Sequence, residues 1–149
     1  MSLTYRFALP ADAAACIVLR GLTRENAVTE AELAGAGITQ ATWSAGIESG
    51  LYPGAVAVDG GTLAGYCFGH RDTGEIVVLA LLPEYEGQGV GKTVLRMTAD
   101  LLRQRGFARL FLGCATDPAV RSYGFYRHLG WRSTGSFDAA GDEVLEYLF

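Results

Sequence analysis

The sequence predicts an α/β chain of the α+β kind, built around one mixed, largely antiparallel central sheet of about six or seven strands flanked by about four helices. Three observations predict it. An unbroken aliphatic run from Glu75 to Leu82, stopped by Pro83, reads as a central strand buried on both faces. Ahead of it, two strand-like segments straddle Asp59-Gly60-Gly61, which supplies the positive φ of a tight hairpin turn. Behind it, two stretches with apolar residues at helical spacing are each closed by a glycine, Gly106 and Gly130.

Taken in order, Tyr5 to Leu9 reads as a short first strand. Asp12 is placed to cap a helix carrying Ala13, Cys16, Ile17 and Leu19 or Arg20. The Ala-rich region from Thr23 to Gly50 reads as one or two more helices, and Thr29 with Glu32 forms a capping box. Ala55 to Val58 and Thr62 to Phe68 are the hairpin strands. After the Glu75–Leu82 strand and a glycine-rich turn, Val90, Val94, Met97 or Thr98, Leu101 and Leu102 mark a long helix. Arg109 to Cys114 is the next strand. Asp117-Pro118 is placed to open another helix, Asp as N-cap and Pro at N1, carrying Val120, Tyr123, Tyr126 and Leu129. Trp131 to Phe137 and Glu143 to Phe149 complete the strands around an Ala139–Asp142 turn.

A chain of 149 residues, half of them apolar, fits one domain spanning residues 1–149, and no linker or repeat divides it. There is no run of 18 apolar residues, so no membrane partner is expected. The first residues lack a basic-then-apolar leader pattern, and Cys16, Cys67 and Cys114 are odd in number and far apart. Neither a disulfide frame nor a metal site is expected, and the setting is a reducing cytoplasm. A net charge of −4 argues against nucleic acid as a partner.

The chemistry-bearing segment is Glu86-Gly87-Gln88-Gly89-Val90-Gly91-Lys92-Thr93, between a buried strand and a helix. Free N–H groups at a helix start, backed by the helix dipole, bind anions, and glycine lets a phosphate approach the backbone. Three phosphate motifs compete. Walker A needs glycine where Glu86 stands, and the dinucleotide fingerprint needs glycine where Lys92 stands, so both fail. A third pattern, [QR]-x-x-G-x-[GA], matches at Gly89 and Gly91, with Glu86 in place of Gln or Arg.

That third pattern belongs to the GNAT acetyltransferases. Leu79 to Gly91 resembles the family's core block of strand, proline, turn and helix. Ala119 to Trp131 resembles its second signature, N-x-x-A-x-x-[FY]-Y-x-x-x-G-F, with Phe125, Tyr126 and Gly130 matching. Trp131 replaces the usual aromatic, while Ala119 and Ser122 depart from the common Asn and Ala. The two signatures stand in the family's order with one strand between them, and the resemblance covers nearly the whole chain.

The resemblance implies a single domain that moves an acetyl group from acetyl-CoA, a cosubstrate used without a metal, to a primary amine of a small molecule or peptide. It also implies a possible homodimer. The donor is expected between two splayed strands, Glu75 to Leu82 and Arg109 to Cys114. Backbone groups of Leu79 and Leu81 are expected to hold the pantetheine arm, and N–H groups from Gln88, Gly89, Val90, Gly91, Lys92 and Thr93 the pyrophosphate. Tyr126 stands where the family's general acid stands. Glu75, opening Glu75-Ile76-Val77, resembles the segment that bears the glutamate base in the histone-acetylating branch. The alternative is a GNAT-like sensor or interaction module that binds acyl-CoA without turnover, for which Glu86 and Ala119 speak. Arg121 and Arg127 read as further residues for cofactor phosphates or as ordinary helix-surface arginines, and Trp43, Tyr66 and Trp131 as lining for an acceptor pocket or as core. His70 and His128 have no partner legible in the sequence, and Cys114 reads as a small buried hydrophobe.

Overall fold

The computed structural model describes residues 2–149. Leu3–Phe7 (β1), Gly54–Asp59 (β2), Thr62–Gly69 (β3) and Ile76–Leu81 (β4) form a four-stranded sheet in that order, antiparallel throughout. Arg109–Cys114 (β5), Arg132–Phe137 (β6) and Glu143–Leu148 (β7) form a second antiparallel sheet in the order β5-β7-β6. The seven strands meet as one central layer at a single point, a parallel bridge between Glu75 and Phe111. Beyond it β4 and β5 part.

Ala13–Arg20 (α1), Glu30–Gly35 (α2) and Gln40–Glu48 (α3) cover one face of the first sheet. Val90–Gln104 (α4) and Arg121–His128 (α5) lie on the other. The larger core lies beneath α4, where Val90, Val94, Leu95 and Leu102 pack on Ala55, Cys67, Leu110 and Leu145. Val90, Val94 and Leu102 belong to the stripe that the helical spacing marked, and Leu95 is an addition to it. The smaller core joins Cys16, Leu19 and Trp43 to Val56, Tyr66 and Phe68. No helix among the described residues is long and apolar enough to cross a membrane.

Local chemistry explains two element ends directly. The Thr29 hydroxyl accepts from the Glu32 N–H and the Glu32 carboxylate from the Thr29 N–H, both at 3.1 Å, closing the capping box at the start of α2. Gly106 takes φ +103° just past α4, as the predicted helix stop requires.

Three expectations need correction. Asp12 does not cap α1 through its side chain. Its carboxylate instead accepts from the Leu9 N–H and from Arg6, tying the helix start to β1. Asp117-Pro118 does not open a helix: Asp117 accepts from the Ala119 N–H and the Val120 N–H in a turn of its own, and α5 begins only at Arg121. The short Asx turn satisfies the aspartate locally, which removes its reason to cap. The Glu75–Leu82 run is also not buried on both faces. Val77 is 37% exposed because one edge of β4 has no neighbouring strand beyond Glu75 and a bulge lies at Val77.

Candidate functional site

The parting of β4 from β5 opens a cleft of about 570 Å³. Its walls come from β4 (Ile76 to Leu81), the end of β5 (Leu112 to Cys114), the start of α4 at Gly91, and Phe125 and Tyr126 of α5. The segment after α1, from Thr23 to Val28, crosses its mouth. On its other edge, β4 pairs Leu79 with Cys67 and Leu81 with Gly65. Toward the cleft its backbone has no strand partner past the Glu75–Phe111 bridge, so it can add an extended ligand as a strand.

At the far end stands the glycine turn. Tyr85 donates to Asp59 at 2.7 Å, fixing the turn to the hairpin loop, and Gln88 donates from its side chain to the Glu84 carbonyl. Gly89 has φ +79° and precedes the first helical residue, Val90. The first bond that closes the helix runs from the Thr93 N–H to the Gly89 carbonyl, at 3.1 Å. The N–H groups ahead of it, through Lys92, precede any intrahelical acceptor. Gly91 lies in the cleft wall; a Cβ there would stand 3.4 Å from both Leu81 and Phe125. The side chains of this stretch serve other ends: Val90 is buried in the core, Lys92 is exposed, and the Thr93 hydroxyl donates to the Gly89 carbonyl. Its backbone is available as an anion cradle, with the exposed Lys92 beside it.

Glu86 is the departure from the sequence pattern, and the fold answers its charge. Arg24 donates from Nε to Glu86 at 2.8 Å, and Arg121 Nε lies 3.9 Å from the other carboxylate oxygen. The Arg121 N–H donates to the Glu25 carboxylate at 3.1 Å. All four residues line the cleft. Two guanidinium groups thus sit at its mouth with two carboxylates, Glu86 and Glu25, so the charge of Glu86 is offset there. Nothing in the spacing of the sequence names Arg24; the one signal for it was the unusual Glu86, which demands a cation.

Tyr126 is 8% exposed, with its ring between those of Phe125 (5.1 Å) and Trp131 (5.8 Å). Its hydroxyl makes no hydrogen bond to another described residue, yet it is not sealed from the cleft it lines. Burial pushes its pKa well above the ordinary phenol value, so the hydroxyl stays protonated. Cys114 nearby is buried, contacts the Ser122 hydroxyl at 3.9 Å, and its thiol is also pushed up by burial, the opposite of a nucleophilic cysteine.

Glu75 lies at the apex where β4 and β5 join, one residue outside the cleft lining. Burial raises its carboxyl pKa above the usual range, with His70 opposing and Asp138 adding to the rise. The Asp138–Asp142 turn folds over Gly113 of β5, and Asp142 reaches the cleft wall. His70 itself accepts the Asp72 N–H at 3.1 Å, a structural role, and His128 is exposed. Arg127 pairs with Glu143 and lies over the Tyr123 ring, away from the cleft lining. The structure therefore brings Leu79, Leu81, Gly91 and Tyr126 into one cleft. Gln88 through Thr93 (apart from Gly91) lie beside it through their backbone, and Glu75 lies at its closed end.

A sequence model of the Acetyltransferase (GNAT) family matches residues 23–131. A protein of Bacillus subtilis (strain 168), provisionally named a [ribosomal protein bS18]-alanine N-acetyltransferase, is 34% identical over 79 residues; the match spans 50% of this chain and 50% of that one. Among solved structures, the PaiA N-acetyltransferase from Thermoplasma acidophilum in complex with coenzyme A superposes with a TM-score of 0.81 at 19% identity, over 100% of both chains. The phosphinothricin acetyltransferase from Sinorhizobium meliloti in complex with AcCoA gives 0.71 at 24% identity, over 100% of this chain and 89% of that one.

Proposed function

The chain belongs to the GNAT acetyltransferase family, and on that premise we propose that it moves an acetyl group from acetyl-CoA to a primary amine of a small molecule or peptide. The observation that carries this reading is the unpaired β4 edge at Leu79 and Leu81, running from the free N–H groups at the start of α4 to the unpartnered hydroxyl of Tyr126.

The residues present fit such a donor. The β4 edge offers backbone donors and acceptors for an extended amide-bearing arm. The amides from Gln88 to Lys92 suit a pyrophosphate, and Gly91, in the cleft wall, puts no Cβ between the backbone and a ligand. Arg24 and Arg121 offset the negative charge that Glu86 brings to the cleft. Acetyl-CoA, when bound, supplies an activated acyl carbon and a thiolate leaving group.

The chain's own residues then manage protons. An amine of pKa near 10 is an ammonium at pH 7 and must lose a proton before it attacks. Glu75, raised above the ordinary carboxyl range by burial, takes that proton through water from the apex of the cleft. Tyr126 holds a proton at Oη for the leaving sulfur. A backbone N–H of Leu79 or Leu81 polarises the acyl oxygen.

Calorimetric titration with acetyl-CoA followed by thiol release across an amine panel tests the reading. Wild type is expected to bind and turn over, and Gly89→Asp to lose binding by placing a carboxylate at the amide cradle. Binding without thiol release from any amine would support the sensor alternative; no binding would end both.

A further inference from the structure

The cleft has a side chamber. A second cavity of about 200 Å³ lies between the first sheet and α1–α3, walled by Ile17, Leu33, Trp43 and Tyr66. It shares Arg20, Val28, Val77 and Val78 with the cleft, so the two spaces adjoin at the β4 bulge. An apolar cavity of about 150 Å³ holds benzene, so this one takes an aromatic ring or a branched aliphatic chain.

Two polar groups interrupt its apolar wall. Tyr66 is 3% exposed, and its hydroxyl makes no hydrogen bond to another described residue, yet it is not sealed off. Arg20 donates one terminal N–H to the Asn26 carbonyl, and its other N–H groups have no partner among the described residues. An unpartnered hydroxyl on a buried tyrosine ring and a half-buried guanidinium at the junction suit a ligand that carries acceptors beside an apolar body.

We propose that this chamber is the acceptor subsite and that the acceptor is a hydrophobic α-amino acid. Its side chain fills the chamber, its carboxylate meets Arg20, and its amine lies at the bulge facing the cleft. The inference rests on the acetyl-transfer reading above. A guanidinium pairs with a carboxylate through two parallel bonds, whereas an apolar chamber penalises the second and third charges of a polyamine. Transfer forms the amide N–C bond and breaks the thioester C–S bond. Of the two protons the ammonium loses, one goes to solvent through the base and the other ends on the thiol.

The test is calorimetric titration with L-phenylalanine, L-leucine, phenethylamine, isoamylamine, glycine and spermidine, with and without saturating CoA, which cannot react. L-Phenylalanine and L-leucine are expected to bind about tenfold or more tighter than glycine and than the amines lacking a carboxylate. Arg20→Gln is expected to erase the preference over the carboxylate-free amines. Val77→Trp, at a position open enough to accept the larger side chain without disturbing the core, is expected to erase the preference over glycine. Equal binding of glycine or spermidine, or preferences unchanged in both variants, would overturn the proposal. Loss of CoA binding would instead sink the acetyl-transfer reading, while the titrations without CoA still decide what the chamber takes.

Discussion

Replacing Tyr126 by Phe removes one atom, and the structure fixes what that atom does and does not do. The ring is buried between Phe125 and Trp131, and Phe keeps that packing. The hydroxyl has no protein partner to orphan. Stability should therefore stay within about 0.5 kcal/mol of wild type, the range of substitutions that disturb no packing or bond. For a domain of this size that is a shift of roughly 1–2 °C in Tm. Affinity for acetyl-CoA should be unchanged, because the donor-holding groups lie on β4 and α4. Turnover is another matter. A positioned general acid contributes about 10²–10⁴-fold, or roughly 3–5 kcal/mol of barrier at 1.36 kcal/mol per decade. The assay is thiol release under saturating donor, with calorimetry and thermal unfolding on the same preparations. Because burial raises the phenol's pKa, its ionisation should impose no alkaline limb on wild-type turnover below about pH 10. Unchanged kcat in the Phe variant would refute the acid role. A fall in Tm of more than about 5 °C would refute the claim that the hydroxyl is structurally idle.

Further outcomes follow from the same geometry. Glu86→Gln keeps an acceptor for Arg24 but removes a charge worth about 1 kcal/mol at 4 Å in water, so acetyl-CoA should bind roughly fivefold tighter. Arg24→Ala should weaken it, and calorimetry at two salt concentrations reads both. Glu75→Gln bears on pH. The folded-state pKa is raised, so the stability attached to the protonated group is complete below the unfolded value of about 4.3 and is lost as pH rises through the folded value. The Gln variant should therefore match wild type near pH 4 and exceed it at pH 7 in denaturant melts, while thiol release falls. A Gln variant whose stability relative to wild type is the same at pH 7 as at pH 4 would contradict the burial of that carboxyl. Gly89→Ala should cost about 1–2 kcal/mol of stability through backbone strain alone, since φ is +79° and a Cβ meets nothing within 4 Å. Thermal unfolding that matches wild type would exclude the left-handed conformation.

What the sequence determined by itself is local. The Thr29–Glu32 box, the Asp59-Gly60 hairpin, the Gly89 turn and the Gly106 stop each rest on conformational preferences of a few adjacent residues, which no distant contact has to supply. The same reach carried the two family signatures and the placement of Tyr126 on a short helix. Local reading failed where two local solutions competed, as when Asp117 closed its own turn instead of capping α5. Tertiary structure alone decided the rest. The parting of β4 from β5 depends on which strands pair across more than 30 residues. An aliphatic run reads alike whether its edge is paired or open, so the exposure of Val77 is invisible in sequence, and the cleft is expected through the family resemblance and not from the run itself. Glu86 finds Arg24 across 62 residues, and Arg20 and Tyr66 meet around a chamber assembled from five elements and the segments that join α1, α2 and α3. Those pairings exist only because burying the α4 and α1 faces fixes where the sheet's open edge lies, and the charges then settle against one another around it.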